Sequence, residues 1–389
     1  MLPRSFSILH TFALSAGMAL TLLSCSGSYA LGQIQTTPTA PTRIAVPLSD
    51  PTRPEMQLRL DVDRDPLPSP DIEAVVPSIS PTPLAPAVAG EIRKRKDGVY
   101  TMHEDVDEVL LICAVVDEKG RLVTDLSRGD WRVWEDDVPQ ITTSFLHQDQ
   151  PVSLGILIDN SGSMLDKRAA VNAAALNLLK ASNPLDSTFI VNFSDRSFLD
   201  QGFTSDIAAL DRGLSRFDSK GTTAMYDAVA VSADELANHG KLPKQVLLVI
   251  TDGADNASRI DLEQAIRRVQ KLGGPVVYTI GLLFDSEKGE AKRARLELQK
   301  LSDETGGIAY FPRTLQDVDP IAVEVARDIR DQYTLGYRSS NAASLGGFRV
   351  VHVEAVAPKH GKMIVRTRKG YYPSKPAPHL QQSAREVQP

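Results

Sequence analysis

The sequence predicts an α/β domain with a doubly wound, mostly parallel sheet, inserted in or flanked by a small antiparallel β-sandwich. Three observations predict it. Apolar runs without polar alternation, expected of strands buried on both faces, occur at Leu154–Ile158, Phe189–Phe193, Val246–Ile250 and Val276–Ile280. Amphipathic helical segments lie between them, and β-type patterns return on both sides of the region.

The 389-residue chain has room for two or three domains. Its 42% hydrophobic and 24% charged residues are those of a globular protein, and a net charge of -6 argues against nucleic acid as a partner. Residues 1–30 read as a signal peptide: Arg4, an apolar stretch from Phe12 to Leu23, and the small-x-small site Ser28-Tyr29-Ala30. Leu22-Leu23-Ser24-Cys25 is also similar to a bacterial lipobox. Cys25 is therefore either discarded with the signal peptide or lipidated, the latter giving the one membrane contact expected. Either way the chain is expected to be exported, to the periplasm, the cell surface or the medium. Residues 31–96 hold 12 of the 25 prolines and read as a disordered, extended linker.

Residues 97–150 carry the first β strands: Val109–Val116, a turn at Asp117–Gly120, the alternating Trp131–Glu135, and Ile141–Leu146. Cys113 falls in the first of these as a small core residue. Residues 151–332 form the α/β domain. Val171, Ala174, Ala175, Leu178 and Leu179 make one helical face; Leu262, Ala265, Ile266 and Val269 make another, with Asp261 as its N-cap. Ser197–Phe203 fits an edge strand, and a helix from Asp317 to Gln332 ends the domain. Residues 333–373 return to β structure at Tyr333–Tyr337, Arg349–Ala357 and Lys362–Lys369, completing one sandwich from both flanks. Residues 374–389 are a polar tail.

Ligands of open α/β sheets bind beyond the carboxyl ends of the strands. Asp159 stands at such an end, followed by Ser161 and Ser163, with Gly162 allowing a tight turn. Thr223 in GTTAMYDA and Asp252 in VLLVITDG should reach the same rim. Five hard oxygen donors suit Mg²⁺, with Mn²⁺ as a substitute, and disfavour zinc or copper. Waters would fill the rest of the coordination, and at least one position is left for an outside oxygen, most naturally a carboxylate. There is no G-x-S-x-G elbow, P-loop or HExxH, and an EF-hand fails because Met164 and Ala170 stand where Gly and Glu are needed. The expectation is a binding module, with a structural or assembly component of a cell-envelope complex that captures no ligand through metal as the alternative, and no enzyme.

DNSGS, GTT and TDG, in that order, resemble the metal-ion-dependent adhesion site of von Willebrand factor A domains, over about residues 151–332. The resemblance implies a Rossmann-like fold in which Ser161, Ser163 and Thr223 bind Mg²⁺ (or Mn²⁺ or Ca²⁺) directly. It implies that Asp159 and Asp252 act directly or through water, and that a partner protein's Asp or Glu carboxylate completes the coordination. Thr223 is chosen over Thr222 because TTAMYDA aligns with the family's GTALYDA. The flanks VVDEKGRLVTDLSRGDWRVWEDDVPQITTSF and RDQYTLGYRSSN are similar to exported, acidobacterial-type proteins related to the same family.

Overall fold

The computed structural model describes residues 58–62, 92–94, 100–102, 108–216, 218–271, 273–341 and 346–373. The expected signal peptide with Cys25, most of the linker and the tail lie outside the described residues. In chain order, the short strands β1 (Asp61–Val62), β2 (Ile92–Lys94) and β3 (Tyr100–Met102) come first. β4 (Glu108–Asp117), β5 (Trp131–Glu135), β6 (Val138–Gln140) and β7 (Thr142–Leu146) follow. The α/β region then runs through β8 (Val152–Asp159), α1 (Arg168–Ala181), β9 (Ser187–Phe193), β10 (Ser197–Thr204), α2 (Ile207–Leu214) and α3 (Met225–His239). It continues with β11 (Lys244–Thr251), α4 (Leu262–Lys271), β12 (Val276–Gly281), α5 (Lys288–Thr305), β13 (Ala309–Tyr310) and α6 (Val318–Arg330). β14 (Tyr333–Arg338), β15 (Arg349–Ala355), β16 (Met363–Arg366) and β17 (Gly370–Tyr371) close the described chain.

The large sheet has the order β1-β10-β9-β8-β11-β12-β13, and only the β9–β10 pairing is antiparallel. All eight residues of β8 are buried, which explains the uninterrupted apolar run. Leu154, Ile156 and Ile158 pack on one face with Val171, Ala174 and Leu178 of α1 and Val325 and Ile329 of α6. Leu157 joins Phe189, Val229, Ile266 and Leu298 on the other. Gly155 is needed at this crowded centre: a Cβ there would stand 2.4 Å from the Phe189 ring and 2.7 Å from Leu247. The N-cap of α4 forms as expected, as a reciprocal box in which Asp261 accepts from the Gln264 amide (2.8 Å) and Gln264 from the Asp261 amide (3.0 Å).

β10 differs from its expected place as the edge strand. β1 lies outside it, in parallel register with Asp61 opposite Phe198, and Arg196 pairs with Asp61 at 2.5 Å. β1 comes from within residues 31–96. The stretch from Glu55 to Asp65 has no proline, so its amides are free to join a sheet edge.

The flanks meet in two four-stranded antiparallel sheets, β16-β4-β14-β7 and β17-β15-β5-β6, each drawing strands from both sides of the α/β region. Leu111, Cys113 and Val115 of β4, Trp131 and Val133 of β5, Tyr333 and Leu335 of β14 and Val351 and Val353 of β15 share one core. Burial pushes the Cys113 thiol up to about 12, fitting an inert core residue. Tyr333 begins the return from α6: its hydroxyl donates to Val123 O (3.0 Å), and Trp131 meets its ring edge-on.

Asp328 near the end of α6 joins the two layers of structure. It accepts from the Tyr278 hydroxyl of β12 (2.5 Å) and from Arg366 of β16 (2.6 Å). Lys244, at the start of β11, donates to the Ile329 carbonyl of the same helix turn. Among the described residues, no helix is long and apolar enough to cross a membrane.

Candidate metal centre

The site lies at the carboxyl ends of two neighbouring central strands. The pairing that sets Ile158 of β8 beside Ile250 of β11 brings Asp159 next to Thr251. Thr251 Oγ1 donates to Asp159 Oδ2 at 2.6 Å, and the Ser161 amide donates to Asp159 Oδ1 at 2.8 Å, so both carboxylate oxygens are fixed. Asp159 is fully buried. Burial pushes its carboxyl up to about 6, against the pull of the Thr251 and Ser161 hydrogen bonds; the nearby Asp252 charge pushes the same way. Behind it the buried Arg168 guanidinium donates to Asp159 O (3.1 Å) and to Asn192.

After Asp159 the chain turns through a short 3-10 segment, Gly162–Met164, anchored by the buried Met164. The Ser161 and Ser163 hydroxyls stand 3.2 Å apart, and Ser163 Oγ donates to Asp252 Oδ1 at 2.8 Å. Four of the five expected residues therefore form one hydrogen-bonded cluster: Asp159, Ser161, Ser163 and Asp252. The fifth, Thr223, is buried in the adjoining loop, whereas Thr222 is exposed. That loop is tied to the first by Gly162 N to Gly221 O (3.4 Å) and Lys220 N to Asn160 O (2.9 Å). It is tied to the third by Thr223 N to Asn256 Oδ1 (2.9 Å) and Asn256 N to Thr223 O (3.0 Å). Asp255 accepts from Tyr226 N (3.0 Å), a free amide in the first turn of α3. Asp255 and Asn256 thus hold the second and third loops together.

The donor set fits a hard divalent cation. An octahedral ion with bonds of about 2.0–2.1 Å needs neighbouring oxygens about 3 Å apart. The Ser161–Ser163 and Ser163–Asp252 spacings of 3.2 and 2.8 Å bracket that value. No His or Cys is among the donors.

Sequence reasoning missed Thr251 and Lys167. Thr251 was readable in principle, since it precedes Asp252 at a strand end facing β8. Lys167 was not: its ammonium folds back to 2.7 Å from Asp252 Oδ2 and 3.4 Å from Ser163 O, with Asp285 Oδ2 at 3.8 Å. Asp285 comes from the distant loop after β12, so no local spacing marks the contact.

Comparison with known proteins bears on the same segment. The family model for the von Willebrand factor type A domain matches residues 154–254, about a quarter of the chain, from β8 to just past Asp252. Residues 154–254 are thus similar to a von Willebrand factor type A domain. Similar solved structures include an aerotolerance-related membrane protein from Bacteroides fragilis (18% identity, 46% of this chain and 98% of that one, TM-score 0.39). A von Willebrand factor type A protein from Catenulispora acidiphila is 15% identical over 67% of this chain and 71% of its own, with a TM-score of 0.41. The von Willebrand domain of a type V pilus tip protein from Porphyromonas gingivalis is 13% identical over 46% of this chain and 97% of its own, with a TM-score of 0.39. A search of curated proteins finds no match. Within the matched segment, DNSGS, GTT and TDG all lie on one rim of the sheet.

Proposed function

We propose that the chain is an exported, divalent-metal-dependent protein-binding module of the adhesion type, without enzymatic activity. The observation that carries the reading is the convergence of Asp159, Ser161, Ser163 and Asp252 on one point beyond the strand ends, with Asp159 fixed by Thr251. Ser161, Ser163 and Thr223 would hold the ion, with Asp159 and Asp252 acting directly or through water. A bound Mg²⁺, Mn²⁺ or Ca²⁺ supplies a positive centre with room for one outside ligand, for which a partner's Asp or Glu carboxylate is the matching donor. Ser163 is exposed and Leu165 beside it is 60% exposed, so this rim is accessible to a protein surface.

A second reading is a structural or assembly component of the cell envelope that captures no ligand through metal. The Lys167–Asp252 ion pair favours it, because the cluster is charge-compensated in part by the chain itself. Capture of envelope proteins on the immobilised chain, in Mg²⁺ against EDTA, separates the two. Proteins retained only in Mg²⁺ and lost with Asp159→Ala at unchanged folding support the first reading. Identical retention in both buffers and in the variant supports the second.

A further inference from the structure

The Lys167 ammonium is the least expected group at the site. A lysine just before a surface helix normally extends into water, gaining hydration and rotamer freedom. This one folds inward until its side chain is only 12% exposed. Its nitrogen touches Asp252 Oδ2 at 2.7 Å and the Ser163 carbonyl at 3.4 Å, and lies 5.9 Å from the centre of the Phe284 ring. Asp252 is thus shared between Ser163 on one oxygen and Lys167 on the other.

We infer that Lys167 is a built-in counter-cation that competes with the divalent ion for Asp252 and sets the affinity of the site; the inference rests on the metal-binding reading above. Asp159 and Asp252 with the ammonium held on Asp252 carry a single net negative charge, where the two carboxylates alone would carry two; Asp285, with its side chain 67% exposed, is largely screened by water. A divalent ion is therefore held less tightly than by the oxygen set alone. With the ion in place the group carries a net positive charge, which an anionic partner neutralises. Lys167 in this way makes the site dependent on its carboxylate partner. Asp285 Oδ2, at 3.8 Å and with its side chain 67% exposed, gives the ammonium a second carboxylate to turn to when Asp252 engages the ion.

The test is calorimetric titration of Mn²⁺ alone into the metal-free full chain, into Lys167→Met, which keeps the stem and removes the charge, and into Lys167→Arg, which keeps the charge. Melting temperatures of the metal-free proteins verify folding. The inference predicts that Lys167→Met tightens Mn²⁺ binding by about tenfold or more, the removed charge being within a few ångströms of the site. It predicts that Lys167→Arg stays near the parent protein and that added salt narrows the difference. Unchanged or weaker binding by folded Lys167→Met overturns the inference and leaves the metal site standing. Lys167→Arg behaving like Lys167→Met also overturns it, since charge would then not be the determinant. Absence of binding in all three folded proteins overturns both this inference and the metal-dependent reading.

Discussion

At the scale of single residues, what distinguishes this rim from an ordinary polar turn is that its carboxylates are oriented before any ligand arrives. Asp159 is held by a hydroxyl on one oxygen and a backbone amide on the other, both inside the protein. Such supporting contacts decide ligand geometry as much as the ligands do. Thr251→Val, nearly isosteric, removes the hydroxyl that fixes Asp159 Oδ2. Calorimetry should show Mn²⁺ affinity falling by roughly 10–100-fold, the range for lost supporting hydrogen bonds, with the fold intact by circular dichroism. The ligand candidates were legible because Asp159, Ser161, Ser163 and Asp252 sit in short motifs at strand ends. Thr251 was readable from its place before Asp252 at the strand end, whereas the role of Lys167 was not, since it depends on side-chain direction and on Asp285 far along the chain.

At the scale of elements, β8 is the part whose rigidity the site depends on. It is buried throughout, hydrogen-bonded on both sides, and packed so closely at Gly155 that no side chain fits without displacing Phe189 or Leu247. Gly155→Ala should cost about 1–3 kcal/mol of stability through overpacking, read from chemical denaturation. Strands such as β8, β9, β11 and β12 were legible because full burial writes an unbroken apolar run. α5 was not identified: two of the positions it buries, Ser302 and Thr305, are polar, which thins its apolar stripe. β13 and β17 have two residues each, too few to show any period. β1 was hidden by the proline-rich composition around it.

At the scale of the whole molecule, the inserted arrangement makes α6 the passage between the α/β domain and the sandwich. Lys244, Asp328, Tyr278 and Arg366 gather there. Burial pushes the Lys244 ammonium down from 10.5 to about 8, opposed by Asp149, Asp328, Asp186 and Asp331. Between about pH 8 and 10.5 the folded chain has therefore released a proton that the unfolded chain still binds, so this group makes stability rise with pH across that window. Denaturation of the parent protein and Lys244→Met across this range should differ in slope, with the parent gaining stability relative to the variant as pH rises. The assembly of one sandwich from both flanks was legible because strand patterns stood on either side of an α/β region. The position of Asp328 between Tyr278 and Arg366 was not, because it depends on how α6 packs.

The central claim is that the rim formed by Asp159, Ser161, Ser163, Thr223 and Asp252 is a divalent-cation site. The most direct measurement is the thermal unfolding of the chelator-treated full chain against increasing Mg²⁺ and Mn²⁺, beside Ser161→Ala and Ser163→Ala combined. An ion that binds only the folded chain raises the melting temperature progressively with its concentration. The account predicts that rise for the parent protein and its loss in the double variant. A melting temperature independent of both ions, or an equal rise in parent and variant, would contradict it.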